Sequence, residues 1–219
     1  ADVLIFLGED HPLPAQSGRD LDTYLPTRKI AVPVDKAAAI ANNVVSANDS
    51  TIVDTIMIDL GDKTTYIIKD QLAMLDIVTS NIWERPIYWA VTCREDRLLG
   101  LQDYLQLEGL ALRLVPIKTK SSMNQYGIVG AGRVDTDIAF KNIMEKWQWG
   151  NFDKEPHFID RSYQPSLQTM RVSITRIGRQ MIVEGKKENA EKLVDKYFEV
   201  FPAYNFPYDQ FTAFLADVY

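Results

Sequence analysis

Asp135-Thr-Asp137, Arg85, Tyr104 and Trp149 carry the side chains whose types and spacing could do chemistry. Two carboxylates two residues apart can hold a cation or divide the work of general acid and base. They also stand where a helix start favours anionic groups, and capping is the cheaper reading. Trp83, Tyr88, Trp89, Tyr104, Trp147 and Trp149 concentrate large aromatics in the middle of the chain. An exposed indole can stack on the apolar face of a sugar ring, whereas a buried Trp or Tyr removes about 150–250 Å² from water. Most of the six are expected in the core, with Trp83 and Trp149 at the surface beside Arg85 and Gly150. Arg85, ahead of Pro86, can anchor an anion, with Glu84, Glu108 and Asp76 as competing ion-pair partners. The expected ligand site is a groove near Arg85, Tyr104 and Trp149, between a sheet-bearing body and the C-terminal helices, with Asp135 as a further candidate. Internal packing and pairing of these side chains is the competing reading.

Other signals exclude more than they offer. Gly127-Ile-Val-Gly-Ala-Gly132 has the order G-x-x-G-x-G, not G-x-G-x-x-G, and no strand leads into it, so it reads as a flexible surface loop. His11 and His157 stand alone in polar segments, and no metal site or cofactor is expected. Cys93 is the only cysteine, which excludes an internal disulfide and a Cys-based zinc site, and it reads as a core thiol after a buried strand. With 46% hydrophobic and 25% charged residues the chain can build a core, and at net charge −6 with scattered Lys and Arg it offers no nucleic-acid footprint. No apolar run approaches the about 18–20 residues needed to span a bilayer. Residues 1–8 lack the basic flank and length of a signal peptide.

The elements that must position these residues indicate an α+β fold. Val3, Phe6 and Leu7 are spaced like the tail of an amphipathic helix entered partway, as in an excised fragment. Residues 18–26 read as linker, residues 28–34 as an edge strand because of Pro33, and residues 36–45 as a short helix. Residues 52–60 and 64–68 read as a hairpin around the turn at 61–63. Asp70 is placed to cap a helix carrying Leu72, Leu75 and Val78. A central strand at 87–92, a helix near 101–107 and a strand at 111–117 predict a mostly parallel or mixed sheet. Asp135 should cap a helix with Phe140, Ile143, Met144 and Trp147 on one face, stopped by Gly150.

The pattern changes near Tyr163. Ser166 is placed to cap a helix bearing Leu167, Met170, Ile174, Ile177 and Met181; Gly185 breaks it, and a second helix carries Ala190, Leu193, Val194, Tyr197 and Phe201 before Pro202. Ile177-Gly178, Met181, Gly185, Ala190, Val194 and Pro202 fall at the intervals of a tetratricopeptide repeat, a helical hairpin with a period of about 34 residues. Residues 215–219 look like the first helix of a second, truncated repeat. The expected organisation is a mixed-sheet α/β body over residues 1–160 and a tetratricopeptide-like α-helical hairpin over residues 161–219.

Several motifs in order resemble one known family: Tyr24-Leu-Pro-Thr-Arg-Lys29 with Val32-Pro-Val-Asp-Lys36, Lys69-Asp-Gln-Leu72, residues 81–91, residues 100–116, and Gly132-Arg-Val-Asp-Thr-Asp137 with Trp149-Gly-Asn151. It is the bacterial protein O-mannosyltransferase-like membrane family, long described as a domain of unknown function. The resemblance implies a glycosyltransferase-type membrane region followed by a soluble extracytoplasmic region with a tetratricopeptide-like end, to which this chain is similar. The acidic catalytic residues expected of such transferases belong to loops near the membrane spans, so no catalytic residue carries over.

Two functions follow as expectations. In the first, the chain is a non-catalytic accessory domain of a membrane glycosyltransferase at the periplasmic face of the inner membrane. It then works beside the membrane region of its own parent chain and binds acceptor protein or glycan. In the second, it is a structural or protein–protein interaction domain of an envelope complex without a sugar role. A stand-alone soluble enzyme is the third and weakest reading.

Overall fold

Leu4-Ile-Phe-Leu7 is a strand, not the tail of a helix. In the computed structural model, which describes residues 4–7, 24–25, 27–47, 49 and 51–219, strand β1 (Leu4–Leu7) lies in the middle of a three-stranded sheet. It runs parallel to β2 (Tyr24–Leu25) and antiparallel to β5 (Tyr66–Ile68). Backbone groups paired on both sides outweigh a local spacing that could serve either element. Tyr24 and Leu25 are thus strand, not linker, while residues 18–23 and 26 and His11 lie outside the described residues.

The chain divides into two compact units, one of residues 1–87, 94–104 and 114–119 and one of residues 88–93, 105–113 and 120–219. These units cut across the expected boundary at 160. The helical hairpin shares a unit with strands that the sequence pattern assigns to the body, because its first helix is covered by residues from 129 to 136.

In the first unit β3 (Lys29–Pro33) pairs antiparallel with β4 (Thr55–Asp59) in a two-stranded sheet, which suits Pro33. Val32, Ile56 and Ile58 point to the core from this pair. The expected hairpin between β4 and β5 does not form, since β4 is taken by β3 and β5 by β1. Helix α1 (Lys36–Ala41) is capped by Asp35, whose carboxylate accepts from the Ala38 N–H at 2.9 Å. It ends before Val44 and Val45, which are buried outside it. Helix α2 (Lys69–Asn81) begins one residue ahead of the expected cap. Asp70 stands in its first turn, and Gln71 Oε1 accepts the Ile68 N–H at 3.0 Å. Trp83, expected at the surface, is buried: its Nε1–H donates to the Pro33 carbonyl at 2.8 Å, and its own carbonyl accepts from Asn42 Nδ2 at 2.8 Å.

The second unit holds a four-stranded mixed sheet, order β6-β8-β7-β9. β6 (Tyr88–Ala90) is antiparallel to β8 (Ala111–Leu114), and β7 (Leu105–Leu107) is parallel to β9 (Arg133–Val134). The expected helix near 101–107 is instead a 3-10 turn, Gln102–Tyr104, followed by β7. The strand was obscured because it is interior, with Leu105, Leu107 and the polar Gln106 all buried. Such a strand lacks the in–out alternation that marks a half-buried one.

The short helix α3 (Met123–Tyr126) precedes a 3-10 turn at Gly127–Gly130 that buries Val129 and Gly130. Helix α4 (Thr136–Lys141) passes into a π-helical turn, Asn142–Lys146. α5 (Gln164–Val183) starts with Pro165 in its first turn, so Ser166 is not its cap; Asp160 caps the 3-10 turn ahead of it. Gly185, with φ +78°, turns the chain into α6 (Lys187–Val200). Ile174, Ile177 and Met181 meet Ala190, Leu193, Val194 and Tyr197 in a core without solvent access. Asp209 caps α7 (Gln210–Ala216), accepting from the N–H groups of Phe211 and Thr212. Just beyond α7, Val218 packs on Gly178, where an added Cβ would stand 2.7 Å from its methyl. The molecule is α+β, as the sequence pattern indicates. Among the described residues no helix is long and apolar enough to cross a membrane.

Candidate functional site

The π-helical turn sets the site. Its last bond runs from the Trp147 N–H to the Asn142 carbonyl at 3.0 Å, and Trp147 itself is extended. The expected helical face therefore ends before Trp147, and the chain swings Trp147 and Trp149 to one side. The Trp147 ring covers Gly109 (φ +122°), where a Cβ would stand 3.1 Å from it. Asn142 Nδ2 donates to the Glu108 carbonyl at 2.9 Å, fastening the same turn between β7 and β8.

From there a run of rings lines a trough. Trp147 and Trp149 have centroids 5.2 Å apart, and Trp149 meets Phe201 edge-on at 5.9 Å. Phe201 also contacts Phe206 at 4.9 Å and Phe152 at 6.0 Å. A cavity of about 400 Å³ opens among Leu110, Trp147, Trp149, Phe152, Met170 and Phe201. A second, of about 280 Å³, shares Phe152, Tyr163, Leu167 and Phe201 with it and continues to His157, Phe158 and Phe206. Phe158 is 93% exposed on its rim. A third, of about 90 Å³, ends the run at Asp160, Arg161, Arg171 and Asp209. The trough is thus apolar and aromatic along most of its length and charged at one end. Such a lining suits a ligand with an apolar face and a few polar groups.

Asn205 holds one wall. Its side chain is buried; Oδ1 accepts the His157 N–H at 2.6 Å, and Nδ2 donates to the carbonyls of Phe152 and Glu155 at 2.7 and 2.9 Å. At the charged end Arg171 is buried, donating to the Tyr197 hydroxyl and to Asp209 Oδ2, the latter at 2.7 Å. Burial alone would raise the Asp209 carboxyl, but the Thr212 N–H, the Arg171 guanidinium and the Phe211 N–H together hold it below its ordinary value.

Of the sequence-predicted residues, Trp149 is half-buried in this trough. Asp135 caps α4, accepting from the Ile138 N–H at 2.9 Å. Its neighbours tie α4 to the hairpin turn: Asp137 pairs with Lys186 Nζ at 2.7 Å, and the Thr136 hydroxyl donates to Glu184 at 2.5 Å. Tyr104 is only 4% exposed; its hydroxyl accepts from the Met57 N–H at 3.4 Å, and Lys118 lies over its ring. Arg85 is exposed just after α2. Glu108, considered as its partner, is engaged by Gln106 at 2.8 Å, Tyr88 at 3.2 Å and Arg113 at 3.7 Å. Arg85 and Tyr104 belong to the first unit, Trp149 and Asp135 to the second, so neither unit contains all four.

The glycine-rich segment is not a surface loop. Val129, Gly130 and Ala131 are buried, and the buried Arg176 guanidinium from α5 donates to the carbonyls of Val129, Ala131 and Gly132. Burial draws that guanidinium down to about 10, which leaves it charged at neutral pH. A polar-looking, glycine-rich string becomes interior because a helix supplies the donors its carbonyls need. Cys93 is half-buried. Among the described residues no group of three or more His, Cys, Asp or Glu side chains could hold a metal ion.

Sequence reasoning missed Asn205, Arg171 and Phe152. Trp147, Trp149, Leu167, Met170 and Phe201 were legible as aromatic or apolar positions of the sequence. Asn205 sits in Pro202-Ala-Tyr-Asn-Phe-Pro207, whose composition marks only a turn between helices.

Residues 2–138 match the family described as TMEM260-associated domain 2, a span that includes β7, β8 and the capping Asp135 but not the aromatic wall beyond Trp147. No curated protein and no solved structure matches the chain. Because the matched span covers more than half of the 219 residues, the chain belongs to the family of TMEM260-associated domain 2.

Proposed function

We propose that this chain is a non-catalytic, extracytoplasmic accessory domain of a membrane glycosyltransferase, and that its aromatic trough holds glycan or acceptor protein. Family membership supports the setting, since TMEM260 is an O-mannosyltransferase-like protein. The observation that carries the binding role is the apolar run of Trp147, Trp149, Phe152 and Phe201, with Phe158 exposed at its rim and Arg171 and Asp209 at its far end. Indole faces take the apolar side of a pyranose or an apolar peptide side chain, and the charged end takes hydroxyls or a backbone. In this reading the domain lies at the periplasmic face of the inner membrane of a bacterium, beside the membrane region of its own parent chain. The α5–α6 hairpin then serves as a tetratricopeptide-like repeat, a role supported by the fully buried Ala190 between its helices.

Calorimetric titration of the chain with mannose-containing oligosaccharides and with acceptor-like peptides tests the binding role. Saturable binding that Trp149→Ala abolishes while the melting transition stays in place is the expected result. No heat at millimolar ligand, or binding that Trp149→Ala leaves intact, overturns it.

A second reading, a protein–protein interaction domain of an envelope complex without a sugar role, is favoured by one observation. Tyr204, Tyr208, Phe214 and Tyr219 are all at least half exposed on and around the C-terminal helices. Sugar-insensitive cross-linking of this face to the parent's membrane region, lost in Tyr208→Ser and Phe214→Ser, would place the function there.

A further inference from the structure

Successive rings along the trough do not form a level platform. Trp147 and Trp149 are tilted by 55° to each other, Trp149 and Phe201 by 72°, and Phe201 and Phe206 by 84°. A pyranose stacks on an open, flat ring face, whereas Phe201 and Phe206 are only 4% and 3% exposed. Rings turned against one another leave slots, and a slot of edges and faces suits a further aromatic ring in edge-to-face contact.

Size separates two subsites. The cavity at Phe152, His157 and Phe206 measures about 280 Å³. An engineered apolar cavity of about 150 Å³ takes benzene, so this one holds a phenyl ring and the backbone next to it. The cavity at Asp160, Arg161 and Asp209 measures about 90 Å³. By the same measure it is too small for a ring, yet it is several times the about 10–15 Å³ that one water needs. The two share Ile159, Tyr163, Leu167 and Phe206, so they lie side by side.

Charge decides what the small subsite takes. Asp209 accepts from Arg171 and from the N–H groups of Phe211 and Thr212, and Asp160 accepts the Ser162 N–H at 2.8 Å. Arg161 is exposed on the same wall and, among the described residues, its guanidinium has no ion pair or hydrogen bond. The chain's net charge of −6 is screened beyond about 10 Å at 0.1 M salt, which leaves this guanidinium as the dominant local group. Taking the trough as the binding site proposed above, on which this step rests, we infer that its ligand is an extended peptide and not a glycan. The peptide carries an aromatic and an acidic side chain two residues apart. Alternate side chains of an extended chain share one face, so the ring enters the larger cavity while the carboxylate meets Arg161.

NMR titration of the 219-residue chain, read at the indole N–H groups of Trp147 and Trp149 and the methyls of Ile159, tests it. The probes are the end-capped peptide Gly-Phe-Ala-Asp-Gly, its reverse Gly-Asp-Ala-Phe-Gly, counterparts of each in which Ala replaces Phe or Asn replaces Asp, and mannotriose. The expected result is saturation by one of the two orders, at least about tenfold weaker binding without the phenyl ring and about three- to fivefold weaker binding with Asn. Arg161→Gln should erase the preference for Asp and leave that for Phe, and about 0.5 M salt should shrink the former. No saturable shift with either order, equal affinity for Asp and Asn peptides, or a preference that survives Arg161→Gln would each overturn the inference. Mannotriose binding that Trp149→Ala abolishes, with the peptides silent, would overturn it and leave the trough standing as a binding site. Silence of every probe would remove both.

Discussion

Asn205 accepts the backbone N–H of His157 on Oδ1 at 2.6 Å and, through Nδ2, donates to the carbonyls of Phe152 and Glu155. One buried amide therefore closes a loop that carries Phe152 and His157 of the aromatic trough. Asn205→Ala leaves two carbonyls and an N–H without their partner. At about 1 kcal/mol for each bond, the loss of stability should be about 2–4 kcal/mol. Urea unfolding measures it, and faster amide exchange confined to residues 152–157 shows where it acts. An unchanged midpoint with a protected loop would mean that ring packing around Phe152 holds the segment.

Gly109→Ala should cost about 1–3 kcal/mol, because the residue occupies left-handed backbone and its new methyl meets the Trp147 ring. Gly185→Ala is the control: it shares the positive φ but has open space around the added carbon, so its cost should be smaller. Combining Gly109→Ala with Trp147→Ala should destabilise by less than the sum of the single changes, since removal of the indole removes the clash. Strict additivity in chemical denaturation would place the cost in the backbone alone.

Arg176→Met should destabilise by about 3 kcal/mol or more, since the carbonyls of Val129, Ala131 and Gly132 lose their donors inside the fold. Arg176→Lys should recover only part of this, because a point ammonium cannot serve carbonyls spread across a planar fork. Thermal melts of the two variants rank the effect, and equal melting temperatures for Lys and Met would show that fork geometry does not matter here.

Acid should loosen the attachment of α7. The folded Asp209 carboxyl sits below its ordinary value of 3.8, so the folded state binds its proton less readily than the unfolded chain. Its contribution is therefore present above about that pH and is lost as pH falls through the lower, folded value. Asp209→Asn keeps a capping side chain but removes the charge facing Arg171. Its stability, followed by urea unfolding from pH 7 down to pH 3, should fall less steeply than that of the unaltered chain.

Much of the second unit was legible from local pattern. The apolar stripes of α5 and α6 are long, strongly periodic and broken by Gly185 and Pro202, so the hairpin follows from side-chain spacing alone. The cap at Asp135 was equally readable, because a carboxylate at that position satisfies N–H groups that any helix leaves open. The same local reasoning failed at the N-terminus and at β7. Leu4–Leu7 is compatible with helix or strand until β2 and β5 supply partners on either side, and β7 hides its strand character by burying Gln106.

The candidate site divides in the same way. The cap at Asp135 was readable because it belongs to the residue and its immediate neighbours, whereas Trp149, expected at the surface, is half-buried. Tyr104 and Trp83 went to the core, and Arg85 and Trp149 fell in separate units, because burial and proximity depend on contacts between segments dozens of residues apart. The sequence by itself determined that α2, α5 and α6 form and where α5 gives way to α6. Only the tertiary structure decided that the chain leaving the π-helical turn brings Trp149 against Phe201, that Asn205 pins the loop at 152–157, and that Arg176 turns a glycine-rich string into core. Helix periodicity is written into neighbouring residues, whereas the partners of a ring, an amide or a buried guanidinium are chosen by the rest of the chain.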